Sequence, residues 1–307
     1  MSTRSNKDIF VRGFAKALEE KWQVDVQLKA RDSDEGVSIL AHKLVLASRS
    51  EVLKKILELD EFKAPSQPTV TFSELKHEEL EAFVKFIYSD GSKLSAKAKE
   101  HVSIIVMAKQ SNLNIFLDGF AHILEEQWQV DVLLKAGDSD PDAAISAHKL
   151  VLAARSKVFK KMLEEDECKT SSEKEIITLS EMKHEELKAL VEFIYSDGST
   201  PCAGHARSLY LAADKYEIPH LRDLTRNELI SSLNASNALD VYELAQIPFD
   251  DALNNAALSC IRMNIATIAY SDELKLFAES NPNLTVEIMK ACVEQSRIRN
   301  YTFCILE

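Results

Sequence analysis

An internal repeat is the feature that most constrains how this chain can fold. The segment Gly13–Glu58 aligns without gaps on Gly119–Glu164 at a constant offset of 106 residues, and 32 of the 46 aligned positions are identical. A second block, Ser73–Ser92, aligns on Ser180–Ser199 at an offset of 107 residues. Solenoid repeats have periods of about 20–50 residues. The longer period predicts two copies of one whole domain.

Each copy combines strand and helix patterns. In copy one, apolar residues alternate with polar ones along Val24–Ala30, and Thr69–Phe72 predicts a further strand. Leu80, Phe83 and Ile87 have the spacing of one apolar helix face. Copy two repeats these patterns, which predicts an α+β fold for both.

The end of the chain has a different pattern. Beyond about Arg226 the strand pattern stops, and the remaining residues predict a small all-helical region. Asp250, Ser271 and Thr285 are expected to cap three of its helices, because short polar side chains accept hydrogen bonds from the first amides of a helix.

The composition excludes several classes of protein. A net charge of −12 repels nucleic-acid phosphates and anionic lipid head groups, so neither nucleic acid nor a membrane is expected as a partner. Only 7 glycines are present, and no glycine-rich phosphate-binding motif occurs. Without a signal-peptide pattern, and with 5 cysteines that form no CxxC pair, the protein is expected to be intracellular, in cytoplasm or nucleus.

Several dispersed blocks resemble the BTB/POZ domain. They are the run Ala147–Ser156, which repeats Ala41–Ser50, and the later segments Val158–Glu164, Val191–Tyr195 and Tyr210–Leu221. The resemblance implies two tandem BTB/POZ (Skp-like) domains, at residues 7–118 and 119–225, followed by a helical tail at 226–307.

The tail resembles the three-box and BACK segments of cullin-3 adaptors. Asn227–Leu239 and Glu243–Gln246 resemble the three-box helices, and Ser280–Leu284 resembles the shortened BACK segment of the speckle-type POZ protein kind. No counterpart of a substrate-binding MATH domain occurs. The resemblance implies a substrate adaptor of a cullin-3 RING ubiquitin ligase, without enzymatic activity or cofactor.

The resemblance also implies a docking motif on the helix that follows the histidine-containing run. In copy two its residues are Phe159, Met162, Leu163 and Glu164, and in copy one Leu53, Ile56 and Glu58 take the corresponding places. The spacing i, i+3, i+4 is equally typical of a core-facing stripe, so a purely structural role stays open. Copy two is the stronger candidate because the three-box helices follow it.

A pair of charged residues in each copy resembles the pair found in BTB dimer interfaces. The pairs are Asp25 with Lys43 and Asp131 with Lys149. A lone carboxylate in an apolar strand is costly unless it is paired. The alternative is that each aspartate lies on an edge strand and faces water.

The copies themselves suggest how the chain assembles. No Pro/Gly/Ser-rich linker separates them, and Leu113–Gln127 predicts a continuous helix across the junction. The copies are therefore expected to pair either with a second chain, as a BTB homodimer, or with each other as an intramolecular pseudo-dimer. Copy one, the tail or an exposed loop would then bring the protein substrate.

No motif predicts a metal site or a catalytic centre. Asp138–Asp142 imitates the start of a calcium loop, but Ala143 and Lys149 stand where glycine and glutamate are required. His42 and His148 have no further ligand at metal spacing and are expected to be structural. The alternative to a ligase adaptor is a BTB scaffold or transcriptional co-regulator that assembles with other proteins.

Overall fold

The two repeats fold into the same succession of helices and strands. The computed structural model describes residues 6–34, 36–59, 67–89, 112–138, 140, 143–166, 175–196 and 204–305. Within these ranges, copy one contains α1 (Asn6–Glu19), β1 (Val26–Ala30), β2 (Ile39–Ala41), α2 (Lys43–Arg49), α3 (Glu51–Leu57), β3 (Thr69–Phe72) and α4 (His77–Ile87). Copy two contains α5 (Asn112–Glu125), β4 (Val132–Ala136), β5 (Ile145–Ala147), α6 (Lys149–Arg155), α7 (Lys157–Asp166), β6 (Glu175–Leu179) and α8 (His184–Tyr195).

The chain forms two units, which are described in turn. The first contains Met1–Pro201 together with Tyr216–Ile218, and the second contains Cys202–Lys215 with Pro219–Glu307. Both repeats therefore lie in the first unit. The division at Pro201 lies ahead of the boundary at residue 225 that the sequence predicts.

A three-stranded sheet underlies each copy. β1 pairs antiparallel with β2 and parallel with β3, and β4 pairs in the same way with β5 and β6. Val26, Leu28 and Ala30 are buried, whereas the residues between them are only half-buried. This period of two is that of a strand with one face on the core. The predicted α+β class is thus confirmed.

The first helix of each copy packs on the other copy. α1 lies against α6 of copy two, and α5 lies against α2 of copy one. Between the helices the rings of Phe14 and Phe120 stack, with their centroids 4.8 Å apart and their planes 8° apart. Both rings are fully buried. The interface is thus reciprocal, with each half repeating the contacts of the other.

Two ion pairs follow the same reciprocity. Lys54 binds Glu126, and Lys160 binds Glu20. The two lysines are equivalent at the offset of 106 residues, and so are the two glutamates. The Lys160 hydrogen bond holds the pKa of Glu20 below its ordinary value, and Lys54 has the same effect on Glu126. Each pair links one copy to the other.

The helix at the junction begins close to its predicted position. The sequence predicts a helix over Leu113–Gln127, and α5 covers Asn112–Glu125. The prediction that the last helix of copy one continues into α5 concerns residues 90–111, which lie outside the described residues.

The described residues of the second unit form helices joined by turns, and no strand occurs among them. The unit contains α9 (Ala206–Lys215), α10 (Pro219–Ser231), α11 (Ala238–Leu244), α12 (Asp251–Met263), α13 (Ile265–Ile268), α14 (Asp272–Ser280) and α15 (Pro282–Ile305). Its core is built around Tyr210, Tyr242 and Leu253. Asp250 receives the Tyr210 hydroxyl at 3.0 Å and the Arg226 guanidinium at 2.5 Å, which compensates the burial of its carboxylate.

Two of the three predicted helix caps are confirmed. Asp250 accepts hydrogen bonds from the first amides of α12, and Ser271 accepts one from the Leu274 amide of α14. The cap predicted at Thr285 is wrong, because this residue lies inside α15 and its hydroxyl donates to the Asn281 carbonyl. The helix begins earlier, at Pro282, since proline is well suited to the first position of a helix.

Candidate protein-docking site

A buried histidine ties the strand region of each copy to its helices. His42 Nε2 donates to the Trp22 carbonyl at 2.8 Å, and its Nδ1 lies 2.6 Å from the Tyr88 hydroxyl. His148 makes the same contacts with Trp128 and Tyr195. Since a carbonyl cannot donate, the proton lies on Nε2, and Nδ1 of the neutral ring accepts from tyrosine. The histidines are structural, as the sequence predicts.

The burial of these two histidines is expected to make the folded protein less stable in acid. Burial lowers the pKa of His42 and of His148 from 6.5 to about 4. The unfolded chain therefore binds protons that the folded chain excludes, and stability present above pH 6.5 is lost as the pH falls toward 4. We expect each histidine to lower the free energy of unfolding by roughly 2–3 kcal/mol between pH 7.5 and 4.5, measured by urea unfolding.

Two variants separate this effect from other titrations. His148→Gln should make the fall with pH shallower, whereas His122→Gln, at an exposed position, should leave it unchanged. Burial also raises the pKa of Asp131 to about 6, which works in the opposite direction below that pH. Equal pH profiles for the wild type and His148→Gln would contradict the prediction.

In each predicted aspartate–lysine pair, the carboxylate of the aspartate contacts the main-chain amide of the lysine. Asp25 Oδ1 accepts the Lys43 amide at 2.7 Å, and Asp131 Oδ1 accepts the Lys149 amide at 2.8 Å. Each carboxylate thus bonds the first amide of a helix, where the helix dipole favours negative charge. The Lys149 ammonium binds Glu175 at 2.6 Å.

The predicted docking motif, which we call the docking stripe, has two residues in the core and two at the surface. Phe159 and Leu163 are fully buried. The Phe159 ring stacks on Tyr216 with centroids 4.6 Å apart, and the Ser156 hydroxyl donates to the Tyr216 carbonyl at 2.5 Å. These two residues of the stripe therefore hold α7 in place, as the structural alternative requires, and neither presents a surface to a partner.

Met162 and Glu164 are the residues of the stripe that solvent reaches. Met162 is half-buried, and the Glu164 side chain is 45% exposed. Glu164 lies 3.6 Å from the Lys160 ammonium, which also binds Glu20 and lies 5.8 Å from the centre of the Trp22 ring. The outer face of α7 is thereby joined to copy one.

Copy one presents a similar division. Leu53 is buried, Ile56 is half-buried and Glu58 is exposed. At the position of Lys160, Lys54 is more deeply buried, with 7% of its side chain exposed against 23% for Lys160. The helices α3 and α7 therefore have a similar arrangement of buried and exposed residues, with Ile56 in copy one where Met162 stands in copy two.

Sequence reasoning missed five residues that position this surface. The ion pairs Lys54–Glu126 and Lys160–Glu20 and the aromatic partner Tyr216 were not predicted. The pairs follow the repeat offset, so complementary charges at equivalent positions were the signal that could have found them. Tyr216 gives no such signal, because its partner Phe159 lies far from it in the sequence.

The described residues contain no group of side chains that could hold a metal ion. Asp138, from the calcium-like segment, accepts the His184 amide at 2.7 Å instead, while residues 139, 141 and 142 lie outside the described ranges. In the same part of the chain, no helix has the length and apolar character that crossing a bilayer requires.

Comparison with known proteins decides the family. The model of the BTB/POZ domain matches residues 14–114 and again residues 120–233. The chain belongs to the BTB/POZ family. BTB/POZ domains are protein interaction modules, so a docking surface is the kind of site that the family uses.

Two BTB/POZ relatives from Arabidopsis thaliana illustrate the similarity. One BTB/POZ domain-containing protein is 64% identical over 188 residues, which cover 60% of this chain and 84% of the relative. Another is 46% identical over 184 residues, which cover 60% of this chain and 87% of that relative. Each relative is therefore shorter than this BTB/POZ chain.

Proposed function

We propose that this chain is a non-enzymatic substrate adaptor of a cullin-3 RING E3 ubiquitin ligase, and that copy two carries the docking surface. The observation that supports this most directly is the outward position of Met162 and Glu164 on a helix fixed by Phe159 and Leu163. An adaptable thioether beside a charged rim residue suits a small protein interface. Copy one and the tail remain for the protein substrate.

We also propose that pairing within the chain takes the place of BTB homodimerisation. The support is the reciprocal packing of α1 on α6 and of α5 on α2, with one ion pair from each half. The surface through which two separate BTB chains would pair is then already covered by the other copy of the same chain. Each adaptor molecule is then expected to carry a single cullin-docking helix, α7 of copy two.

A pull-down with the N-terminal region of cullin-3 tests the docking surface. Met162→Asp is expected to reduce retained cullin at least tenfold, because it places a charge at the centre of the contact, and Glu164→Ala several-fold. The matched copy-one variants Ile56→Asp and Glu58→Ala are expected to stay within about twofold of wild type. Circular dichroism checks that every variant is folded.

The outcomes separate the two functional classes. Loss of binding in the copy-two variants alone supports the adaptor. Equal binding by all variants would place the docking surface elsewhere. No binding by the wild type would favour the scaffold or co-regulator function, which needs no ligase.

A further inference from the structure

A groove of about 420 Å³ lies where α5 of copy two packs on copy one. Its lining includes the apolar or small residues Ala47, Val52, Gly119 and Ile123 together with the exposed carboxylates of Glu51 and Asp118. The volume falls within the range of about 300–1,000 Å³ that ligand-binding sites occupy. We call this feature the copy-one groove. Most of its lining belongs to copy one, whereas the proposed cullin-docking residues lie on α7 of copy two.

The equivalent end of the interface carries the opposite charge. At the repeat offset, Glu51 corresponds to Lys157 and Asp118 corresponds to Arg12. All four side chains lie at exposed positions. In a pair of identical chains the two ends would have to be alike, whereas a duplicated chain can change each end separately. The two ends of this interface have therefore become chemically distinct.

The cationic groups of the copy-one groove are already engaged. Arg49 donates to the main-chain carbonyls of Ile87 and Ser89, and the Lys54 ammonium binds Glu126. Glu51 makes a long exposed contact with Lys55, at 3.9 Å, and its charge also acts on Lys54. The exposed carboxylates of the lining are those of Glu51 and Asp118. A cation from a partner would complement their charge.

We propose that the copy-one groove binds a basic peptide segment, in which a lysine or arginine reaches Glu51 and Asp118 while a small apolar side chain contacts the apolar residues of the lining. This deepens the proposed adaptor function, because it assigns substrate recruitment to copy one and gives the substrate a basic recognition segment. Electrostatic complementarity of this kind selects a partner and rejects one of the wrong charge.

Fluorescence anisotropy with the full-length protein tests the proposal. The probe is a short labelled peptide of alternating lysine, alanine and valine, compared with one in which glutamate replaces lysine. The variant Glu51→Lys/Asp118→Arg introduces at each position the residue type that stands at the equivalent position of the other copy, Lys157 and Arg12, so the fold accepts these residues there. We expect it to weaken binding of the basic peptide at least tenfold, and we expect no saturable binding of the acidic peptide.

Two control variants exclude a general charge effect. Glu185→Lys/Glu192→Lys makes the same change in net charge at exposed positions of α8. Arg12→Asp/Lys157→Glu changes the other end of the interface. Both should bind the basic peptide within about twofold of wild type, which supports the proposal.

Three outcomes would overturn it. Absence of saturable binding by the wild type, or equal weakening by the α8 variant, would show that the groove does not select the peptide. A concentration-dependent dimer lost in Glu51→Lys/Asp118→Arg would show that a second chain fills the groove, with its Arg12 beside Glu51. The assay contains no cullin, so each of these results leaves the docking surface on α7 to be judged by its own experiment.

Discussion

Replacing Phe120 with alanine is expected to lower the free energy of unfolding by about 3–5 kcal/mol. The ring is fully buried and stacks on Phe14, so its removal leaves a cavity between α1 and α5. Phe14→Ala should have a similar effect, because the two rings occupy equivalent positions in the repeat. Urea unfolding monitored by circular dichroism measures both changes.

A double-mutant cycle shows whether the copies are coupled through these rings. Phe14→Ala and Phe120→Ala together should cost less than the sum of the single variants, with a coupling energy of about 1 kcal/mol. Phe83 provides the matched control, because it is equally buried and its ring contact is with Phe72 of the same copy. Phe83→Ala combined with Phe120→Ala should be additive. Additivity for Phe14 and Phe120 would contradict the stacked interface.

The double variant Gly13→Ala/Gly119→Ala is expected to lower the free energy of unfolding by about 4 kcal/mol. A Cβ atom at Gly13 would lie 2.1 Å from the Ala154 carbonyl oxygen, and one at Gly119 would lie 1.8 Å from that of Ser48. Both obstacles are main-chain atoms, so the helices would have to move apart. This loss outweighs the gain of about 1 kcal/mol that alanine brings inside a helix.

A control in the same helix separates contact from helix propensity. Glu19→Ala lies at an exposed position of α1 and should change stability by less than about 0.5 kcal/mol. Wild-type stability in the glycine double variant would contradict the close approach of the two copies. The measurement is again the urea dependence of the circular dichroism signal.

Much of the fold follows from local patterns. The alternation in Val24–Ala30 predicts β1, and the helical spacing of Leu80, Phe83 and Ile87 predicts α4, because each pattern depends on neighbours in the chain. Strand limits follow less closely from the pattern: the alternation covers Val24–Ala30, whereas β1 begins at Val26. Because copy two repeats these patterns, each prediction also applies to copy two.

The division of the docking stripe could not be predicted. Phe159, Met162 and Leu163 share one helical face by spacing, which does not distinguish a core contact from a partner contact. Tyr216, which covers Phe159, comes from another part of the chain. Likewise, Asp25 could be expected to have a partner, but the spacing could not show that this partner is the Lys43 amide.

Pairing of the two copies within one chain is the central claim, and zero-length carbodiimide cross-linking tests it most directly. A mixture of unlabelled and ¹⁵N-labelled full-length protein is cross-linked, and the joined peptides are identified by mass spectrometry. The reagent couples an ammonium to a carboxylate in contact, so the expected products join Lys54 to Glu126 and Lys160 to Glu20. Intramolecular pairing predicts that both joined peptides carry the same isotope. Joined peptides with one labelled and one unlabelled partner would contradict it.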